Sequence, residues 1–229
     1  KKKPRYVVYV CLGTLANFSD LQLKEIAAGL EASGREFVWV VRREKNRGGG
    51  IDGGSGDDNW LPPGFEERME GKGLIIRGWA PQALILDHLA ASGFVTHCKW
   101  NSTLEGITAG LPMLTWPVTA EQFDNEKLLT EILGIGIAVE AKQLYGVKVG
   151  SGGVADTMGR MMAEEGEEAA EMRKAGELGR IAKRAVEEGG SSYANVGALI
   201  GEPFQFDNYN NFYFIYLFYG KNELDMKIY

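Results

Sequence analysis

Apolar and polar positions along this chain switch repeatedly between a period of two and a helical period. Tyr6-Val7-Val8-Tyr9-Val10 is a β-rich run ending at Gly13-Thr14. Ser19 and Gln22 stand at capping-box spacing ahead of Leu23, Ile26, Ala27 and Leu30, the apolar stripe of a helix that Gly34 stops. Phe37-Val38-Trp39-Val40-Val41 is the next strand, and Leu74-Ile75-Ile76 a short one. Pro81 sits where a helix begins, running to about His88. Gly93-Phe94-Val95-Thr96 is a strand, followed by a helix from Asn101 to Ala109 that Gly110 closes. Pro112-Met113-Leu114-Thr115-Trp116 is a strand, Glu121 to Leu133 a helix ended by Gly134, and Ile135-Gly136-Ile137-Ala138-Val139 a further strand. Repeated βα units predict an α/β fold, a Rossmann-like parallel sheet with helices on both faces and ligands at the carboxyl ends of its strands.

Three stretches depart from that alternation. Residues 46–59, NRGGGIDGGSGDDN, hold too little apolar surface to order themselves and are expected to form a mobile loop. After Gly150 the pattern is helical and charged, with Met172, Leu178, Ile181, Ala182 and Ala185 on one face of a helix that Gly189-Gly190 terminates. Residues 201–229 form a tail of different composition, with eight consecutive aromatic or aliphatic residues from Phe212 to Tyr219. Eight cannot span a bilayer, and left uncovered they are an aggregation hazard. The division expected is a folded domain over 1–200 and an atypical aromatic tail over 201–229.

Composition narrows the partners. A chain of 229 residues buries one good core, and an apolar fraction of 45% suits a soluble globular protein. A formal charge of −6 excludes a general nucleic-acid binder, which needs a basic face, and the basic start Lys1-Lys2-Lys3-Pro4-Arg5 reads as a solvated end. Cys11 and Cys98 make neither a disulfide framework nor a metal-ligand set, so a reduced, cytoplasmic setting and no metal are expected. Neither a signal peptide nor an apolar run near the ~20 residues of a spanning helix is found, so no membrane association is expected, and the chain is expected to be a monomer.

The candidate chemistry gathers in HCKWNSTLE, His97 to Glu105, where a strand gives way to a helix. A helix N-terminus presents unpaired N–H groups and partial positive charge, which suits an anion. Asn101 or Ser102 can equally serve as a plain helix cap, and His97 as a structural histidine. Trp79 and Trp100 can be core aromatics, Glu105 a solvated helix residue and Glu121 a complement to a helix dipole.

The whole run WAPQALILDHLAASGFVTHCKWNSTLEGITAGLPMLTWPVTAEQ, Trp79 to Gln122, is 44 residues long. It resembles the signature box of plant secondary-product glycosyltransferases, the family 1 UDP-sugar-dependent enzymes. The flanks VVYVCLGT, LEASGREFVWVVR, LPPGFEERMEGKGLIIRGWAPQ and EQFDNEKL are similar to the subgroup acting on flavonoids, coumarins and triterpenoid aglycones. The likeness covers roughly residues 5–200 and fails over the tail. It implies the C-terminal, donor-binding domain of a GT-B glycosyltransferase. Trp79 would stack on uracil, with the Ala80 backbone reading the base edge. Gln82 and Glu105 would bond the ribose, and His97, Asn101 and Ser102 the diphosphate, with Thr14 reaching it from the first βα loop. Trp100, Glu121 and Gln122 would face the sugar, and Gln122 at the last position of the box implies glucose. The implied reaction is inverting transfer of glucose from UDP-glucose, a co-substrate, to a hydroxyl of a small aglycone, without cofactor or metal.

Departures from the family pattern temper this. Complete members have an amino-terminal acceptor domain whose histidine, assisted by an aspartate, is the catalytic base. This chain begins, by resemblance, at the first strand of the donor domain, and its two histidines, His88 and His97, both lie in the box. The acceptor domain, through which an aglycone would bind, is therefore expected to be absent, no catalytic residue is assigned, and the isolated chain should bind UDP-sugar but transfer little. Lys99 stands where the family usually has glycine, which permits positive φ and close approach to a phosphate. A lysine there is expected to weaken UDP-glucose binding. Asp124 replaces a residue that is more often aromatic or small. The alternatives are a catalytically inactive UDP-sugar-binding fragment or pseudoenzyme, and a dinucleotide-dependent oxidoreductase, although CLGTLA lacks the G-x-G-x-x-G spacing.

Overall fold

The computed structural model describes residues 6–13, 18–41, 60–139, 149–162 and 166–201. Thr14, the glycine-rich stretch 46–59 and the tail beyond residue 201 lie outside the described residues. Six strands form one parallel sheet: β1 (Val7–Cys11), β2 (Glu36–Val41), β3 (Gly73–Arg77), β4 (Ala91–Thr96), β5 (Met113–Thr115) and β6 (Gly136–Ala138). Their order is β3-β2-β1-β4-β5-β6. This is the doubly wound arrangement in which strand order reverses between β1 and β4, opening a crevice at their carboxyl ends. The α/β Rossmann-like fold expected from the alternation is the fold observed.

Both faces of the sheet are covered, so its central strands are apolar on both sides. Val8 and Val10 of β1 point with Phe37, Trp39 and Val41 of β2 into one core, closed by Leu23, Ile26 and Leu30 of α1 (Asp20–Ala32). Tyr9 points the other way with Phe94 and Met113, towards Ile107 of the helix Trp100–Ala109, Leu129 and Ala175. Period-two alternation thus survives in strands that are covered on both faces.

The elements differ from expectation at their ends, where tertiary contacts override local pattern. Ser19 caps α1 as its spacing predicts, its hydroxyl accepting from the Gln22 N–H at 3.3 Å. Gln22 does not complete the capping box. Its amide donates to the Val149 carbonyl at 2.9 Å and accepts from the Val149 N–H at 3.0 Å, clamping the segment that leads to a helix over Ser151–Met161. Glu25 accepts from the first N–H of that helix, that of Ser151, at 2.7 Å. The helix expected from Pro81 to His88 is shorter, Gln82–Leu86, with Pro81 at its N-cap. The helix expected over 121–133 is α-helical only over Gln122–Lys127 and widens to a π-helix over Leu128–Ile132. There the Thr130 hydroxyl donates to the Glu126 carbonyl at 2.9 Å, a side-chain bond of the kind that competes with the regular ladder. The long charged helix runs over Glu167–Val186, and a further helix, Ser191–Gly201, follows it.

Numbered in chain order, the short helix Phe65–Arg68 is α2, Gln82–Leu86 is α3, Trp100–Ala109 is α4, Gln122–Lys127 is α5, Ser151–Met161 is α6, Glu167–Val186 is α7 and Ser191–Gly201 is α8. Gly179 of α7 crosses the end of α4 so closely that a β-carbon there would stand 2.6 Å from the Gly110 α-carbon.

Candidate functional site

Three chain segments leaving the carboxyl ends of β1, β3 and β4 enclose a cleft of 490 Å³ at the point where strand order reverses. Tyr9, Cys11 and Gly13 come from β1 and its exit, Gly78 to Gln82 from the exit of β3, and His97, Lys99, Ser102 and Glu105 from the exit of β4 and α4. This is where a fold of this type binds its ligand.

The β4 exit is a tight, buried turn. The Thr96 hydroxyl accepts from the Cys98 N–H at 3.1 Å, and the Asn125 amide donates to the Cys98 carbonyl at 2.8 Å. Between these two bonds Cys98 is held at φ 61, the left-handed region that a residue with a side chain seldom adopts. Lys99 follows in ordinary extended conformation, φ −62 and ψ 142, and is the N-cap of α4. Two expectations are corrected here. Neither Asn101 nor Ser102 caps the helix, because both lie within its first turn, and no side chain caps it. Nor does Lys99 need the positive φ that glycine would permit, because the turn places its left-handed residue one position earlier.

His97 is 8% exposed and packs on the β1 exit. A β-carbon at Gly13, φ +83, would stand 2.4 Å from its Nε2, so glycine is required there both for backbone and for space. Burial, reinforced by the charge of Lys99 and opposed by Glu121, lowers the imidazole from its ordinary value to about 4. His97 is neutral at pH 7 as a result, and its buried Nδ1 has no hydrogen-bond partner among the described residues. Beneath it, burial pushes the Tyr9 hydroxyl and the Cys11 thiol up, so both stay protonated.

The opposite wall carries a prearranged polar set. The Gln82 amide donates to the Ser102 hydroxyl at 3.0 Å and to the Glu105 carboxylate at 2.7 Å. This bridge fixes α3 against α4 and leaves the second carboxylate oxygen of Glu105 able to accept. Trp79 is 81% exposed, which removes the core-aromatic reading of this residue, and it lines the same cleft as His97 and Ser102. A large apolar ring held in water has little structural purpose and is suited to stacking on a ligand.

Of the residues singled out from the sequence, Trp79, Ala80, Gln82, His97, Ser102 and Glu105 line one cleft. Trp100 (half-buried), Asn101 (exposed), Glu121 (exposed) and Gln122 (buried) are not among its lining residues. The Gln122 side-chain oxygen accepts from the N–H groups of Val118 and Thr119 at 2.8 and 3.1 Å, fixing the loop after β5. Thr14 lies outside the described residues. Sequence reasoning missed Asn125 and Gly13. Only an amide in an otherwise ordinary helix and a glycine after a strand marked them, neither a signal of a partner far along the chain.

Residues 4–166 match the family model described as UDP-glucoronosyl and UDP-glucosyl transferase. The UDP-glucose flavonoid 3-O-glucosyltransferase 7 of Fragaria ananassa is 53% identical over 214 residues, covering 88% of this chain and 41% of that protein. The scopoletin glucosyltransferase of Nicotiana tabacum is 51% identical over 203 residues, covering 87% and 40%. Among solved structures, Phytolacca americana UGT2 complexed with UDP-2fluoro-glucose and pterostilbene is similar with a TM-score of 0.75 at 35% identity, covering 87% of this chain and 42% of that one. The chain therefore spans about two-fifths of the length of the curated relatives it matches.

Proposed function

The chain belongs to the UDP-glucoronosyl and UDP-glucosyl transferase family, and on that premise we propose that it is the donor-binding half of a UDP-glucosyltransferase. Its donor is UDP-glucose, and its acceptor a hydroxyl of a small plant aglycone of the flavonoid, coumarin or triterpenoid type. The observation that carries this reading is that an exposed indole, a bonded Gln82–Glu105–Ser102 set and a buried neutral imidazole share one cleft at the strand reversal. Trp79 takes the uracil, Glu105 and Gln82 the ribose hydroxyls, and His97, Ser102 and the first turn of α4 the diphosphate. Trp100, Glu121 and Gln122 stand towards the glucose, and Thr14 completes the phosphate contacts.

In the reaction the acceptor oxygen attacks the anomeric carbon, the bond from that carbon to UDP breaks, and UDP leaves with the electron pair. Charge grows on the departing phosphate, where N–H donors at a helix N-terminus stabilise it without reorganising. The proton of the acceptor hydroxyl needs a base. His97 is buried in the diphosphate wall, and His88 is exposed with its Nδ1 accepting from the Ala90 N–H at 3.1 Å. Neither is assigned as that base, which favours a second reading in which this chain by itself binds UDP-sugar without turning it over. A cytoplasmic monomer is proposed; the free thiols of Cys11 and Cys98 support the reducing compartment, and among the described residues no helix is long and apolar enough to cross a membrane.

Calorimetric titration of the chain with UDP, UDP-glucose and NAD tests the donor assignment. UDP and UDP-glucose are expected to bind and NAD not. Trp79→Ala should weaken both nucleotides by roughly 5- to 150-fold, the worth of one base–aromatic stack, with the melting temperature unmoved because the ring is exposed. Equal affinity for NAD, or indifference to loss of the indole, counts against the proposal.

A further inference from the structure

Building on the donor-cleft reading above, we propose that Lys99 is an anion-binding residue of that cleft, its ammonium meeting the diphosphate beside the first turn of α4. The backbone carries this side chain without strain, since φ −62 is open to any residue and the left-handed position falls on Cys98. Lys99 is exposed, and it lines the cleft with His97 and Ser102.

The balance of charge gives the lysine its role. Lys99 and Glu105 are the formally charged residues among those described as lining the cleft, with Tyr9, Cys11 and His97 neutral at pH 7. Gln82 engages the Glu105 carboxylate on the wall shared with Ser102. Among the described lining residues a diphosphate entering here would otherwise meet a neutral imidazole and partial charges. Among those same described residues the ammonium supplies the one full positive charge, and that charge helps to keep the His97 imidazole neutral. Arg68–Glu31, Arg77–Glu66 and Lys183–Asp87 pair elsewhere, and Lys99 takes part in none of them. Glu121, the carboxylate that opposes Lys99 at His97, is exposed at the start of α5 and is assigned above to the glucose rather than to the diphosphate.

Selectivity follows from the charge of the ligands. UDP ends in a free phosphate and carries more negative charge than UDP-glucose, so a cation at this place favours the product over the donor. Uridine carries none and should not sense the residue.

Titrations of the full chain and its Lys99→Met and Lys99→Arg variants with UDP, UDP-glucose and uridine, at low and at high ionic strength, test this. Lys99→Met should weaken UDP by about three- to tenfold, a charge-assisted bond discounted for exposure. The loss should be smaller for UDP-glucose and absent for uridine. Lys99→Arg should restore UDP binding, and the difference between Lys99 and Met should shrink as salt rises. UDP binding that is unchanged or tighter in Lys99→Met overturns the role of Lys99 and leaves the donor cleft standing. Equal weakening of uridine and UDP also overturns it, because that marks a disturbed cleft. Failure of the unaltered chain to bind UDP or UDP-glucose overturns the donor reading and this role with it.

Discussion

A histidine wedged against a glycine has a measurable consequence for stability. The imidazole of His97 titrates near 6.5 in an unfolded chain and at about 4 in the folded one, principally because it is buried. Between these values the unfolded chain holds more protons than the folded chain, so stability rises with pH through this window and is flat above it. The contribution is at most ~1.4 kcal/mol per pH unit. Glu126 acts in the opposite sense, since burial raises its carboxyl and the folded chain keeps that proton to higher pH. The informative quantity is therefore the difference between the chain and His97→Gln in denaturant unfolding from pH 4 to 7. The substituted chain should lose the upward slope, and an unaltered slope would contradict a buried neutral imidazole. None of this was legible in HCKWNSTLE, where a histidine after a strand shows neither its depth nor its neighbours. Trp79 was similarly ambiguous: indoles in cores and indoles in clefts look alike until exposure is known.

The turn between β4 and α4 shows how elements hold one another. Its geometry rests on Thr96 from within and on Asn125 reaching over from α5. Asn125→Ala removes the donor to a buried carbonyl, a loss of about 1–3 kcal/mol. It also frees Cys98 from its left-handed conformation, so UDP binding should weaken although Asn125 is not among the cleft lining. Denaturant unfolding and UDP titration of this variant check both effects, and stability lost with affinity intact would separate the turn from the site. The strands were readable because runs such as Phe37 to Val41 are β-branched and aromatic, with turn residues around them. The caps were not. Asn101 and Ser102 are good capping types, yet a lysine stands at the N-cap and the polar pair begins the helix. Helix α8 offers no buried apolar stripe for periodicity to reveal, since Val196, Leu199 and Ile200 are exposed.

At the scale of the molecule, alternating strands and helices imply a parallel sheet but do not say which strands are neighbours. Order β3-β2-β1-β4-β5-β6 is what brings the exits of β1 and β4, more than eighty residues apart in sequence, to the same crevice. Trp79 reaches it from β3, two strands away from β1. The 44-residue run made most of the site nameable because its members lie on consecutive segments around one end of the sheet. Gly13 and Cys11, contributed by the first strand, had no such signature. The decisive measurement is a crystal structure of this chain with UDP. Uracil should lie on the indole of Trp79, ribose hydroxyls against Glu105 and Gln82, and the diphosphate between His97, Ser102 and the start of α4. UDP bound elsewhere, or in the cleft with its base away from Trp79, would contradict the donor-site assignment.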